Sequence, residues 1–218
     1  MTLRTAAKDL ARQVAPWSLT LVRRGMLWPP YGPDAKSEVR LSVDKVRTAS
    51  VALALRTTDA ERVAGAIAEL GVYRGELSRV LHRLSPSRTL YLFDTFSGFQ
   101  DGDDRRFRDT SPDFVRKVVG GDPSKVLIKQ GSFPETSKGL ENELFAFVML
   151  DADRYEVTLA GLRFFMPRLA KGGYLFAHDF NNPESDYGVS RAFTNFFGDS
   201  RPFVEIPDVC GSVVLRCT

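Results

Sequence analysis

The sequence predicts an α/β protein built on a doubly wound, mostly parallel sheet with helices on both faces. Five short apolar runs, GAIAELG, TLYLFD, KVLIKQG, LFAFVMLD and GGYLFAHD, each close on glycine or an acidic residue. Runs of this length and composition are the mark of buried parallel strands. Helical patterns separate most of them, and regular alternation of strand and helix implies right-handed crossovers. A length of 218 residues, 43% hydrophobic and 26% charged, fits one soluble domain with a sizeable core. Ligands of such sheets bind beyond the carboxyl ends of the strands, so chemistry is expected at those tips.

Residues 1–58 read as an N-terminal lid or cap on a catalytic domain formed by residues 59–218. Within it, WPPYGP (residues 28–33) lacks amide donors at its prolines and cannot continue a helix. Trp17 and Trp28 either line a pocket or plug the domain's flank. Ser42 is a candidate N-cap for the helix SVDKVRTASVALALR, with Val43, Val46, Ser50, Leu53 and Ala54 on one stripe. Further helices are expected over Arg74–Leu84, Asp113–Val119, Tyr155–Leu169 and Val189–Phe197, the third presenting Leu159, Leu162, Phe165 and Met166 on a shared face. The tail FVEIPDVCGSVVLRC predicts a terminal hairpin.

Several functions are excluded early. The net charge of +3 is spread among interleaved acids and bases, and Arg105, Arg106 and Arg108 lie among Asp101, Asp103, Asp104 and Asp109, so no nucleic-acid-binding stripe is present. Two cysteines, Cys210 and Cys217, are too few for a disulfide scaffold. No run approaches membrane-spanning length, and the first residues lack the apolar stretch of a signal peptide. A cytoplasmic protein without nucleic-acid or membrane partners is expected.

The first strand ends in Glu69, Leu70, Gly71, Val72, Tyr73, Arg74 and Gly75 before a helix opens. A glycine there permits a tight turn and close backbone approach, while the helix start offers free amides to a carboxylate. Spacing of the type Gly-x-x-x-Gly lacks the middle glycine of a dinucleotide site, which argues against a diphosphate cofactor and hydride transfer. Glu69 is placed to accept from an ammonium. Asp94, closing the second strand ahead of Thr95, can accept both hydroxyls of a ribose. After the third strand, Ser132 and Phe133 either border a nucleobase or belong to a turn and the core.

Together ELGVYRG, FDTFSGF, GSFPET, LDADRYEVTLAGL and PRLAKGGYLFAHDF resemble the macrocin O-methyltransferase family over about Glu69 to Phe197. The resemblance implies a class I methyltransferase fold with a seven-stranded sheet and an antiparallel C-terminal strand. It further implies S-adenosylmethionine as methyl donor, a magnesium ion beside the acceptor, and a small-molecule or oligosaccharide acceptor methylated on a sugar hydroxyl. Homodimerisation is a family-level expectation. By position, Glu69, Gly71, Tyr73, Gly75, Asp94, Thr95, Ser132, Phe133 and Asp151 would contact the cofactor. Asp151, His178 and Asp179 would carry catalysis and metal binding, with His178 standing where the family usually has the first of two aspartates.

A sulfonium methyl is already electrophilic, so positioning the acceptor and removing one proton are the protein's tasks. Asp151 and Asp179 suit magnesium, whereas an imidazole suits transition metals or proton abstraction, leaving His178 as general base or metal neighbour. Asp153 is either a further acidic ligand or the N-cap of the next helix, and His82 is a surface or packing residue. Acceptor specificity is expected from the N-terminal lid, SGFQDGDDRRFRDTSP and NNPESDYG. The competing readings are a catechol- or phenol-type O-methyltransferase and a catalytically silent S-adenosylmethionine-binding protein.

Overall fold

A computed structural model describes residues 35–42, 44–99 and 106–218. The expected cap, with Trp17 and Trp28, and most of the loop after Phe99 lie outside the described residues. Seven strands form one sheet in the order β3-β2-β1-β4-β5-β7-β6. Strands β1 (Ala66–Leu70), β2 (Leu90–Asp94), β3 (Val126–Gln130), β4 (Phe145–Leu150) and β5 (Leu169–Ala177) are mutually parallel. The tail forms the expected hairpin, β6 (Val204–Ile206) and β7 (Ser212–Arg216), with β7 antiparallel to both its neighbours. Order along the sheet reverses between β1 and β4, and a crevice opens there because the connections leave in opposite directions.

Side-chain alternation divides the core in two. On one face Ala66, Ala68, Leu70, Phe93, Val148, Leu150 and Leu175 pack on α5 (Tyr155–Phe165) and α6 (Gly188–Phe197) through Leu159, Leu162, Phe165, Ala192 and Phe193. On the other, Ile67, Leu90, Leu92, Phe147 and Met149 meet α2 (Lys45–Ala60), α3 (Glu76–Leu84) and α4 (Pro112–Val119) through Val51, Leu55, Leu81, Val115 and Val119. A one-turn helix, α1 (Lys36–Leu41), precedes α2 and places Ala35 and Val39 against Ala52. No helix among the described residues is long and apolar enough to cross a membrane.

Local chemistry corrects several boundaries. Asp44, not Ser42, caps α2, accepting the Arg47 amide at 2.9 Å, because an anion at a helix start satisfies a free amide and the helix dipole together. The buried stripe of α2 is Val51, Ala54, Leu55 and Thr58, while Val46 is exposed. Small residues spread round this helix make its apolar period weak, so tertiary packing selects the face. The boundary expected after residue 58 falls inside α2, whose Val51 and Leu55 are continuous with the sheet's core. Helix α5 stops at Phe165, since Pro167 has no amide to donate, and a 3₁₀ turn over Met166–Arg168 leads into β5. His82 is buried, as a packing residue.

Candidate active site

At the carboxyl ends of β1, β2, β4 and β5 lies a cleft of about 850 Å³, within the size of small-molecule sites. It is bordered by Glu69, Gly71, Tyr73, Asp94, Thr95, Ser132, Phe133, Asp151, His178 and Asp179. Of the cofactor, catalytic and metal residues expected from the sequence, Gly75 alone does not border it. That glycine sits at the N-cap of α3 with φ of +76° and faces Val115.

Gly71 sets the β1 end of the cleft. Its φ is +90°, and a Cβ built there would lie 1.9 Å from the Asp151 carbonyl oxygen, so only glycine lets β1 and β4 approach this closely. The Glu69 carboxyl is buried between strand and helix and accepts the Ser78 hydroxyl hydrogen. Burial pushes it up to about 8, against the lowering effect of Ser78. A cation arriving here would meet a desolvated acceptor, where charge pairing is stronger than in water. Asp94 reaches across to the glycine turn: one oxygen accepts the Val72 and Tyr73 amides at 2.7 and 2.8 Å, the other the Phe96 amide at 2.7 Å. It thereby ties the tips of β1 and β2 together. Phe133 lies at the cleft and also in the aromatic core, 5.4 Å from Phe93 edge to face and 5.6 Å from Phe165 stacked.

At the β4 and β5 ends the polar groups form a chain. His178 Nε2 donates to the Val209 carbonyl at 2.8 Å, and Nδ1 stands 3.1 Å from Asp151 Oδ1 and 3.1 Å from Asp179 Oδ2. Burial opposes charge on this ring, but bonding to Asp151 and Asp179 outweighs it and raises the imidazole to about 11. A ring so placed carries hydrogen on Nε2 and presents Nδ1 to the two carboxylates. Asp153 bonds Asp179, and burial with that bond holds Asp153 toward its protonated form. Asp179 is kept low despite burial by its bonds to His178, Asp153 and Asn182.

Asp153 does not cap α5: Arg154 occupies that position and no side chain caps it. Asp153 and Asp179 instead adopt φ of +58° and +59°, and Tyr73 at the opposite tip has +51°. Left-handed backbone in such residues costs about 1 kcal/mol or more each and gathers at functional sites.

Residues not foreseen complete the site. Arg47, in the first turn of α2, reaches Asp151 Oδ2 at 3.0 Å. Asp44 at the start of that helix accepts the Val209 amide at 3.0 Å, so the first turn of α2 steadies the cluster from two sides. A basic residue following a capping aspartate by three was the available signal, but its partner lies 104 residues away. Beyond the cluster, Phe99, Phe107 and Tyr73 form an edge-to-face row at 5.3 and 5.0 Å, with the Arg154 guanidinium 4.1 Å above Phe99.

The donor set accommodates a divalent cation, since Asp151, His178 and Asp179 offer three atoms within 4.8 Å of one another. Donors of an octahedral ion of magnesium's size lie about 3 Å apart, close to the spacing found around Nδ1. Magnesium prefers oxygen throughout, and one of these donors is nitrogen.

Known proteins share this architecture. The chain is 26% identical over 173 residues to 8-demethyl-8-(2,3-dimethoxy-alpha-L-rhamnosyl)-tetracenomycin-C 4'-O-methyltransferase of Streptomyces olivaceus, a match taking in 68% of this chain. It spans 66% of that relative, a little under two thirds of its length. The O-methyltransferase NovP superposes with a TM-score of 0.65 at 22% identity over 80% of each chain, and the calicheamicin methyltransferase CalS11 with 0.64 at 24% over 77% of each. These two likenesses are of fold. The profile of the macrocin-O-methyltransferase (TylF) family matches residues 23–211, most of the sequence, and the chain belongs to that family.

Proposed function

We propose that the protein transfers the methyl group of S-adenosylmethionine to a hydroxyl of a sugar, free or attached to a small molecule. The carrying observation is that one cleft joins two acidic strand tips, Glu69 and Asp94, to a second carboxylate cluster at Asp151, Asp153 and Asp179. The first pair suits the ammonium and ribose of the donor; the second suits a hydroxyl that must lose a proton. A rhamnosyl acceptor is named for the Streptomyces relative, and aromatic faces beside Arg154 suit a sugar ring, which offers an apolar face and hydroxyls.

In the reaction the acceptor oxygen forms a bond to the methyl carbon as the carbon–sulfur bond breaks, releasing neutral thioether and one proton. Gly71 and the start of α3 would hold the amino-acid end of the donor, Asp94 its ribose, and Phe133 would border the base. Positioning of this kind supplies a large part of the rate enhancement. Asp153, which borders the cleft beside Asp179, is the carboxylate that would take the hydroxyl proton in its ionised form. Asp151, Asp179 and His178 would hold a divalent cation, whose contribution when bound is to lower the pKa of the acceptor hydroxyl.

A screen of nucleotide sugars, glycosides and catechols with labelled S-adenosylmethionine tests this. The expected product carries one methyl ether on a sugar carbon. Methylation confined to catechols, or thermal stabilisation by NAD and none by S-adenosylmethionine, would overturn the reading.

A further inference from the structure

We infer that His178 is a metal ligand through Nδ1 and that it turns the cation site of this chain from magnesium toward the transition-metal divalents, manganese through zinc. The inference rests on the proposed function only for the presence of a cation beside the acceptor. His178 follows β5 directly, buried, with Asp151 and Asp179 on one side and the β6–β7 turn on the other. Its Nε2 lies 2.8 Å from the Val209 carbonyl, a group that can only accept, so Nε2 carries hydrogen.

With the tautomer fixed, Nδ1 is the atom left to face the carboxylates, at 3.1 Å from Asp151 Oδ1 and 3.1 Å from Asp179 Oδ2. Against two carboxylate oxygens Nδ1 calls for a positive centre, which its own proton supplies in the ion-free chain and a divalent cation held among the three atoms would replace. A histidine that gives its far N–H to a backbone carbonyl and its near nitrogen to an ion is the usual orientation of a metal-bound imidazole. Val209 is itself held, its amide bonded to Asp44 at 3.0 Å, and the ring is thus aimed before any ion arrives. Two carboxylates with one imidazole make a mixed nitrogen and oxygen set, which favours manganese, iron, cobalt, nickel or zinc over magnesium.

The chain has two histidines, so histidine labelling reports on His178 with His82, on α3, as internal control. Tag-free, chelator-stripped protein carrying ¹⁵N-histidine is titrated with Zn²⁺ and, separately, Mg²⁺. The expected result is a shift of one Nδ1 resonance with Zn²⁺, its Nε2 remaining protonated, and no comparable shift with Mg²⁺. Calorimetry of the wild type and His178→Asp should show Ni²⁺ preferred over Mg²⁺ by the wild type and that preference reduced at least about tenfold in the variant. An unmoved Nδ1 with Zn²⁺, or an unchanged Ni²⁺ to Mg²⁺ ratio in a folded variant, overturns the assignment. Stabilisation by S-adenosylmethionine, measured on the same preparations without metal, reads the proposed function separately: it survives a failure of the metal assignment and disappears if the cofactor reading is wrong.

Discussion

Replacing Glu69 by Gln gives effects of opposite sign on stability and on cofactor binding, which makes it the sharpest test of the cofactor end of the cleft. In the folded chain burial raises this carboxyl from 4.5 to about 8, so the native state binds a proton more tightly than the unfolded one. The associated stability is fully present below the unfolded value and is lost as pH rises through about 8. Between about pH 6 and about pH 9 this linkage removes roughly 2 to 3 kcal/mol from the wild type, and Gln has no proton to lose. Urea denaturation of both cofactor-free proteins at the two pH values should therefore show the variant gaining on the wild type by that amount, with other titrations cancelling. Binding should move the other way: loss of a charge-assisted bond to the ammonium costs about 1.5 to 3 kcal/mol, or roughly 10- to 100-fold in Kd for S-adenosylmethionine. A Kd unchanged within twofold, or a stability difference flat with pH, would refute the reasoning.

Two further substitutions probe how the strand tips are held. Gly71→Ala should lower stability by about 3 kcal/mol or more and abolish cofactor binding, because its Cβ would sit 1.9 Å from the Asp151 carbonyl in left-handed backbone; a Tm within a degree or two of wild type would contradict this. Arg47→Met should cost about 1 kcal/mol or less of stability, as a partly exposed pair, yet lower kcat at least about tenfold with KM for S-adenosylmethionine nearly unchanged, since Asp151 loses its orienting partner. Steady-state kinetics with an accepted sugar separates the two quantities.

Much of the fold was legible because its central strands are buried on both faces: runs such as FAFVML and LYLF have few other places to go. The tip residues Glu69, Gly71, Asp94, Asp151, His178 and Asp179 were legible for the same reason, each lying at or next to the end of a buried run. Less visible was α2, whose alanines and threonines carry little periodicity and whose face and first-turn partners are chosen by the sheet it covers. Of the two readings open for Asp153, capping fails although Asp before a helix is ordinarily a cap, because here left-handed backbone turns its carboxyl toward Asp179.

By itself the sequence determined the order of strands and helices, the chemistry placed at each strand end and the exclusion of a dinucleotide fingerprint, all properties of neighbouring residues. The tertiary structure decided what those groups are to one another. It brought Arg47 onto Asp151, fixed the His178 ring with the Val209 carbonyl, and left Asp153 and Asp179 bonded to each other in a buried corner. Protonation and ligation depend on distances of about 3 Å between residues far apart in the chain, and burial strengthens such interactions well beyond their worth in water. No local pattern encodes those distances; packing of α2 and the β6–β7 turn around the strand ends sets them.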